Sequence, residues 1–547
     1  MKLNFHSPLL RIVPLAVILV LALTCSVKNP TDDLKLIINF DPLNTQVAVD
    51  FVNSKSNETI DDPITLRVEG EDKAQVVDLN NNVTAVFDVE EGLVSFGIKR
   101  GVEPTPDSPV KFQLVAEAEG YLTTSINVTI DSSGGHPYTL FMVEKDNPPN
   151  GVMFKENNSG SANNQGQVNA DIQVQTDPDQ VGGASADVVI PQGTIITDEG
   201  GTPLTGNLKV EVGYFSNLSD EALRSFPGGF SVRIASNEEG APEEAAFITA
   251  GFLSLEVTDQ SGRKAENFST PITITMEVPP ETNNPETGQP IKAGDQIKIW
   301  SYDSDTGEWT YEGIGTVTGP KANGNFEVTW QVTHLSFWNL DWKWRICIWS
   351  VKIRIEGWTS CSGCLWIEIR PRGYSGYWGL WECQNWMQFY LAPDDLPVDI
   401  IAYDRFYRRV GSVYVADLCV NGEIVLTVNF ENTQFRKRVF HVTGYCPDKQ
   451  LEIRPTVPVW FKPVGTARWR YAGFIRNGVL EICNFEVPKR YTFMTYYRVR
   501  YYQATFDFSA DFTIFIPEAS VNISATRIEG DHIYYNVDLP ASICNKL

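Results

Sequence analysis

IKIWSYDSDTGEWTYEG, residues 297–313, decides the fold class. Apolar and aromatic residues alternate with polar ones on both sides of a short Asp/Gly-rich centre, Asp303 to Gly307. Alternation with a period of two lets a strand bury one face, and Asp and Gly supply the turn that reverses it. The segment reads as a β-hairpin carrying Trp300 and Trp309. A further strand pattern follows at residues 325–342, NFEVTWQVTHLSFWNLDW. The same grammar extends outward in both directions. LKLIINF, TQVAVDFV, ITLRVEG and VKFQLVAEAEG lie upstream, and WSVKIRIEG, CLWIEIR, VDIIAY and TFMTYYRVRYYQATFDFS lie downstream. These runs are rich in Val, Ile, Phe and Thr and are punctuated by Asn, Asp, Gly and Pro. That pattern predicts an all-β chain of tandem sandwich domains.

Residues 297–342 also mark a border. None of the 14 tryptophans precedes Trp300. Residues 345–547 carry 23 Lys+Arg against 20 Asp+Glu, which leaves 21 against 48 for residues 1–344. An acidic front of this kind repels phosphate and argues against nucleic acid. Eight of the nine cysteines, Cys347, Cys361, Cys364, Cys383, Cys419, Cys446, Cys483 and Cys544, lie beyond the border. An even set behind an export signal reads as disulfides, whose pairing spacing alone leaves open.

The export signal is the start of the chain: Lys2 and Arg11, an apolar run from Ile12 to Leu23, then Thr24 and Cys25. The run is too short for an ordinary membrane span. Leu21-Ala-Leu-Thr-Cys25 resembles the cleavage-and-lipidation box of bacterial lipoproteins, with Thr24 where that box usually has a smaller residue. The resemblance implies lipid attachment at Cys25 and a site at the cell envelope, on the outer membrane or cell surface.

The expected domains are a signal peptide (1–25), an Ig-like sandwich (33–146), a second sandwich (170–342) and two disulfide-bearing β-domains (345–437 and 438–547). NPPNGV, residues 147–152, marks the first boundary, because consecutive prolines cannot continue a ladder. The polar stretch Asn157 to Gln167 reads as a linker. FQLVAEAEGYLTTSINVTID resembles carboxypeptidase-regulatory-like β-modules, which implies a spacer or binding module without catalysis. The series IPQGT, TDEGGTPLTG, AGFLSLEVTDQSG, IWSYDSDTGEW and HLSFWNLD resembles the ZU5-like extracellular domain of cartilage intermediate layer protein, which implies a scaffold.

Three candidate sites emerge. His334-Leu335-Ser336 resembles the cleavage point of autoproteolytic β-domains. That resemblance implies Ser336 as nucleophile on the Leu335 carbonyl and His334 as base. The flanking cysteines of those sites are missing, and the residues are better explained as core residues of a final strand, with His334 bonded to a loop. Asp303 and Asp305 offer alternate carboxylates for Ca²⁺, but the remainder of an EF-hand loop is missing and turn chemistry accounts for both. GYSGYWGLWECQNWMQFY, residues 373–390, is the candidate ligand surface. Its glycines place Tyr374, Tyr377, Trp378 and Trp381 on a loop, where they can stack on sugars or anchor a protein. The remaining histidines sit singly in sequence, and no hydrolase motif accompanies them. The sequence therefore points to a non-catalytic, lipid-anchored surface protein with a structural or binding role. No resident cofactor is expected, the unknown ligand is expected to be a protein or glycan, and the alternatives are a surface protein that cleaves itself at Leu335-Ser336 or a glycan-binding accessory protein. On this reading the acidic modules are expected to form a stalk and the cystine-bearing end a distal, recognising head.

Overall fold

The computed structural model describes residues 36–40, 43–419, 422–430, 437–483, 485–497, 500–508, 514–519 and 522–545. The signal segment and Cys25 lie outside them. Strands dominate, and the α-helices described are the short Asp220–Arg224 and Ala541–Cys544. Ser219 caps the first of these by accepting from the Ala222 amide. The expectation of tandem β-sandwiches holds.

The first domain stacks two four-stranded sheets over residues 45–142. Thr45–Asn53 is buried along its whole length, whereas Ile64–Glu69 alternates buried and half-buried residues. Phe51, Phe96, Phe112 and Leu114 fill the space between the sheets.

The second domain begins earlier than the polar stretch suggests. Val152–Ala162 is a strand that pairs antiparallel with Gly206–Phe215. Asn157 to Gln167 is thus no linker in its first half. Glu156, Asn158 and Ser159 are polar because they sit on the end strand of the sheet, where polar side chains discourage further pairing. The long strand Glu243–Asp259 takes three neighbours: Ser231–Ser236, Gly206–Phe215 and Phe337–Trp344. Ser231–Ser236 pairs in parallel with Glu308–Thr316, which pairs with Gln296–Asp303, which returns to Phe337–Trp344. The sheet therefore closes on itself as a five-stranded ring.

The hairpin of residues 297–313 fills this ring. Trp300 and Trp309 are both fully buried. Their ring centroids lie 5.0 and 5.3 Å from Phe247, and Tyr302 lies 4.8 Å from Trp309. The opposite face of Phe337–Trp344 turns Trp338, Leu340 and Trp342 towards a second sheet, giving a separate core. Tryptophan begins at Trp300 because a closed ring needs large residues to fill it.

The third domain, residues 351–427, packs a three-stranded sheet on a four-stranded one. The fourth holds a five-stranded sheet and a six-stranded one, and the sixth strand comes from the other end of the chain. Leu36–Phe40 pairs in parallel with Leu451–Pro455. LIINF is a strand, as expected, but it belongs to the last domain rather than the first.

Stalk and head are not separate bodies. One hydrophobic cluster runs through the first three domains, from Phe141 through Trp309 to Trp366. Another joins Ala48 and Leu93 of the first domain to Cys364 of the third and Trp460 and Trp469 of the fourth. Arg468 reaches the buried Asp50 carboxylate at 3.5 Å, and the Trp469 amide donates to Thr59 Oγ1 at 2.8 Å. Tyr302 of the ring receives a hydrogen bond from Gln113 and shares another with Ser125, both in the first domain. Apolar surface shared between modules cannot be left in water without losing its transfer free energy. The sequence pattern announces strands, and these contacts decide that the modules fold against one another.

Three disulfides are described: Cys347–Cys419, Cys364–Cys383 and Cys446–Cys544. Cys483 is also disulfide-bonded, and the Cys361 side chain lies outside the described residues. Cys364 bonds to Cys383 and so not to Cys361, its neighbour three residues before. The Cys446–Cys544 bond closes a span of 98 residues. Replacing both with Ser is expected to lower the stability of the last domain by about 2–4 kcal/mol, read from its urea transition; an unchanged midpoint would contradict this.

Candidate functional site

The aromatic segment 373–390 folds inward rather than looping into solvent. Trp378–Glu382 is the end strand of a sheet in the third domain, paired with Leu365–Pro371. This pairing buries Tyr377 and Trp378 to 7 % and 5 % exposure. Glycine spacing suggested a loop, but Gly379 is there because the Trp366 ring lies where its Cβ would be.

Tyr377 belongs to a buried ionic cluster centred on Glu368. The Tyr377 hydroxyl and the Trp366 indole donate to Glu368 Oε1 at 2.9 and 3.1 Å. Arg224 from the second domain lies 3.0 Å from the same oxygen, and Arg370 holds the other oxygen at 2.6 Å while also pairing with Asp220. Burial pushes the Glu368 carboxyl up, but Arg370 and Arg224 outweigh it and hold the group below its ordinary range. Tyr377 is pushed up by burial. Every member has a partner, so the cluster joins two domains.

Trp378 donates to Ser231 Oγ at 3.0 Å, and half-buried Trp381 donates to Thr139 Oγ1 at 3.0 Å. Tyr374 is half-buried against the second domain's core. Of the four expected ligand-surface residues, Tyr377, Trp378 and Trp381 line a cleft and Tyr374 does not.

That cleft, of about 1020 Å³, lies where all four domains meet. The first domain contributes residues of 126–139, the second residues of 223–233, the third residues of 377–391 and the fourth residues of 471–481. Trp386, 45 % exposed, and Tyr390 stand on its wall. Tyr390 donates to Asp131 Oδ2 at 2.7 Å. The Glu382 carboxyl is pushed up to about 8, chiefly by burial and slightly by the charge of Asp131, against hydrogen bonds from the Cys383 and Gln384 amides. Neither Asp131 nor Glu382 has an ion-pair partner among the described residues. Asp131, Glu382, Trp386 and Tyr390 were not separable in sequence from other acidic and aromatic strand residues. Their shared position comes from domain packing.

The other candidates have structural employment. The Ser336 hydroxyl accepts from the Tyr302 amide at 2.8 Å and faces the Tyr302 and Phe337 carbonyl oxygens at 2.9 and 2.8 Å. His334 Nε2 stands 3.5 Å from Glu312, its ring against Trp338, and Leu335 donates its amide to Glu266. Asp303 Oδ1 accepts from the Asp305 and Thr306 amides, shaping the turn, and Asp305 pairs with Arg67 of the first domain. Two histidines that look single in sequence meet: His441 Nε2 lies 2.8 Å from His532 Nδ1. The carboxylates of Asp394 and Asp417 converge on Cys419, but its sulfur is committed to Cys347.

No protein-family model and no curated protein matches the chain. Among solved structures, a C-terminal fragment of the pilus adhesin SpaC from Lactobacillus rhamnosus GG aligns at 10 % identity, covering 35 % of this chain and 99 % of the fragment, with a TM-score of 0.14. The whole SpaC adhesin aligns at 8 % identity over 88 % of this chain and 57 % of its own length, with a TM-score of 0.15. The Bacillus anthracis TIE protein aligns at 10 % identity over 71 % and 57 %, with a TM-score of 0.12. Overlaps this low say nothing of function.

Proposed function

We propose that the protein is a non-catalytic, lipid-anchored binding protein of the bacterial cell surface, and that the four-domain cleft is where it holds its ligand. The observation that carries this reading is the convergence of all four domains on one cavity walled by Trp381, Trp386 and Tyr390 and bearing Asp131 and Glu382. Large, mostly pre-formed clefts at domain junctions, with aromatic walls and a few polar groups, are the usual shape of ligand sites. The Ser336 hydroxyl is engaged with the Tyr302 backbone, which favours binding over self-cleavage.

The membrane part of the proposal rests on the first 25 residues. Among the described residues no helix is long and apolar enough to cross a bilayer. Full-length chain expressed in a Gram-negative host is expected in the membrane fraction, and Cys25→Ser in the soluble periplasmic fraction; identical partition of the two would remove the anchor. The binding part is tested by screening the wild-type chain and Trp386→Ala against glycan and peptide arrays. Binding that falls at least tenfold in the variant supports the cleft. Failure to bind either class, or binding indifferent to Trp386, overturns it.

A further inference from the structure

The walls of the cleft are end strands. Thr124–Ile130 and Gly134–Met142 terminate the two sheets of the first domain, Trp378–Glu382 and Trp386–Phe389 terminate those of the third, and Arg470–Ile475 terminates one of the fourth. An end strand carries backbone N–H and C=O groups on its outer side that another chain can pair with. Most of these edges are occupied. Gly228 donates to Ser125 at 3.1 Å along the first, and the Trp381–Thr139 bond draws Trp378–Glu382 against Gly134–Met142.

Trp386–Phe389 differs. It pairs with Val351–Glu356 on one side, and no backbone hydrogen bond among the described residues reaches its other side. Met387 and Phe389 anchor it in the core, while Trp386 and Gln388 face outward. Asp131 and Glu382 line the same cleft, two carboxyl groups that face no Lys or Arg at ion-pair distance among the described residues.

Resting on the reading of the cleft as the ligand site, we propose that its ligand is an extended polypeptide segment that adds as a strand to the free edge of Trp386–Phe389 and places a Lys or Arg side chain between Asp131 and Glu382. The edge supplies main-chain hydrogen bonds, Trp386 supplies stacking area, and the two carboxyls supply the charge complement. A neutral glycan satisfies only the second of these. A cation seated there favours the ionised form of Glu382, so binding releases a proton near neutral pH and affinity rises from pH 6 to pH 8.

The test pans the wild-type chain against displayed random 12-residue peptides and measures the enriched peptides by fluorescence polarisation. The expected peptides carry Lys or Arg. N-methylation of alternate amides in one register should weaken binding at least tenfold, and methylation in the other register should not. Asp131→Asn should weaken it at least fivefold. The methylated peptides leave the protein unaltered, so a variant that folds poorly does not obscure the answer. Peptides whose affinity survives methylation in both registers overturn strand addition. A glycan whose binding depends on Trp386, with no peptide enriched, overturns the peptide and leaves the cleft as the ligand site. No ligand of either class dependent on Trp386 overturns both.

Discussion

Trp309→Ala is expected to destabilise the second domain by about 3–5 kcal/mol, the range for deleting a large aromatic from a close-packed interior. Trp309 is fully buried inside the closed ring, with Phe226, Phe247 and Tyr302 within 5.4 Å of its ring centroid. The ring of strands holds its shape through pairing on every side, so it cannot collapse into the space vacated. The loss includes both transfer free energy and the unfilled cavity. Tyr302 packs on Trp309 and also carries the hydrogen bonds to Gln113 and Ser125, so loosening in the second domain reaches the first. The measurement is the urea transition of the variant beside that of Trp386→Ala, whose exposed side chain should matter by less than about 0.5 kcal/mol. Equal effects from the two would contradict the placement of Trp309.

Asp341→Asn is expected to stabilise the protein at neutral pH and to leave it unchanged near pH 3. Asp341 is fully buried on the ring side of Phe337–Trp344, neither carboxylate oxygen has a hydrogen-bond partner among the described residues, and burial pushes the carboxyl well above the ordinary range despite the polar side chains of Thr249 and Asn339 nearby. The folded-state value lies above the unfolded one. The carboxyl is therefore protonated and harmless in both states at low pH, and stability falls as pH rises through the unfolded value of 3.8 towards the folded one. Asn keeps the shape and has no charge to shed, so it removes that loss. The gain should be absent at pH 3 and grow steadily as the pH is raised to 7. Stability measured from pH 3 to pH 7 should show a shallower decline in the variant. Parallel profiles would mean that Asp341 is ionised in the native protein and solvated by something the described contacts lack.

Strand character was legible throughout, because period-two alternation is a local property. The hairpin at 297–313 reads correctly down to its turn, where Asp303 receives the amides of Asp305 and Thr306. Pairing partners were not legible. Residues 36–40 read as a strand of the nearest domain, but their partner Leu451–Pro455 lies more than 400 positions away, and nothing local encodes that choice. Asn157 and its neighbours read as a linker because an end strand may be as polar as a loop when its outer side faces water. Tyr377 and Trp378 read as exposed because Gly376 and Gly379 flank them. Gly379 makes room for the Trp366 ring and so permits burial. The candidate cleft is the extreme case. Asp131, Glu382, Trp386 and Tyr390 come together only because four modules share apolar surface, so the site follows from tertiary packing alone.

The four domains pack as one body around that cleft rather than as a stalk with a distal head. Small-angle X-ray scattering of residues 26–547 in dilute solution tests it most directly. A single compact body of this length has a radius of gyration of about 24 Å, whereas four domains in a row give a value on the order of 40 Å. The packed arrangement predicts the smaller radius, unchanged by dilution. A radius near the larger value would contradict it and dissolve the cleft with it.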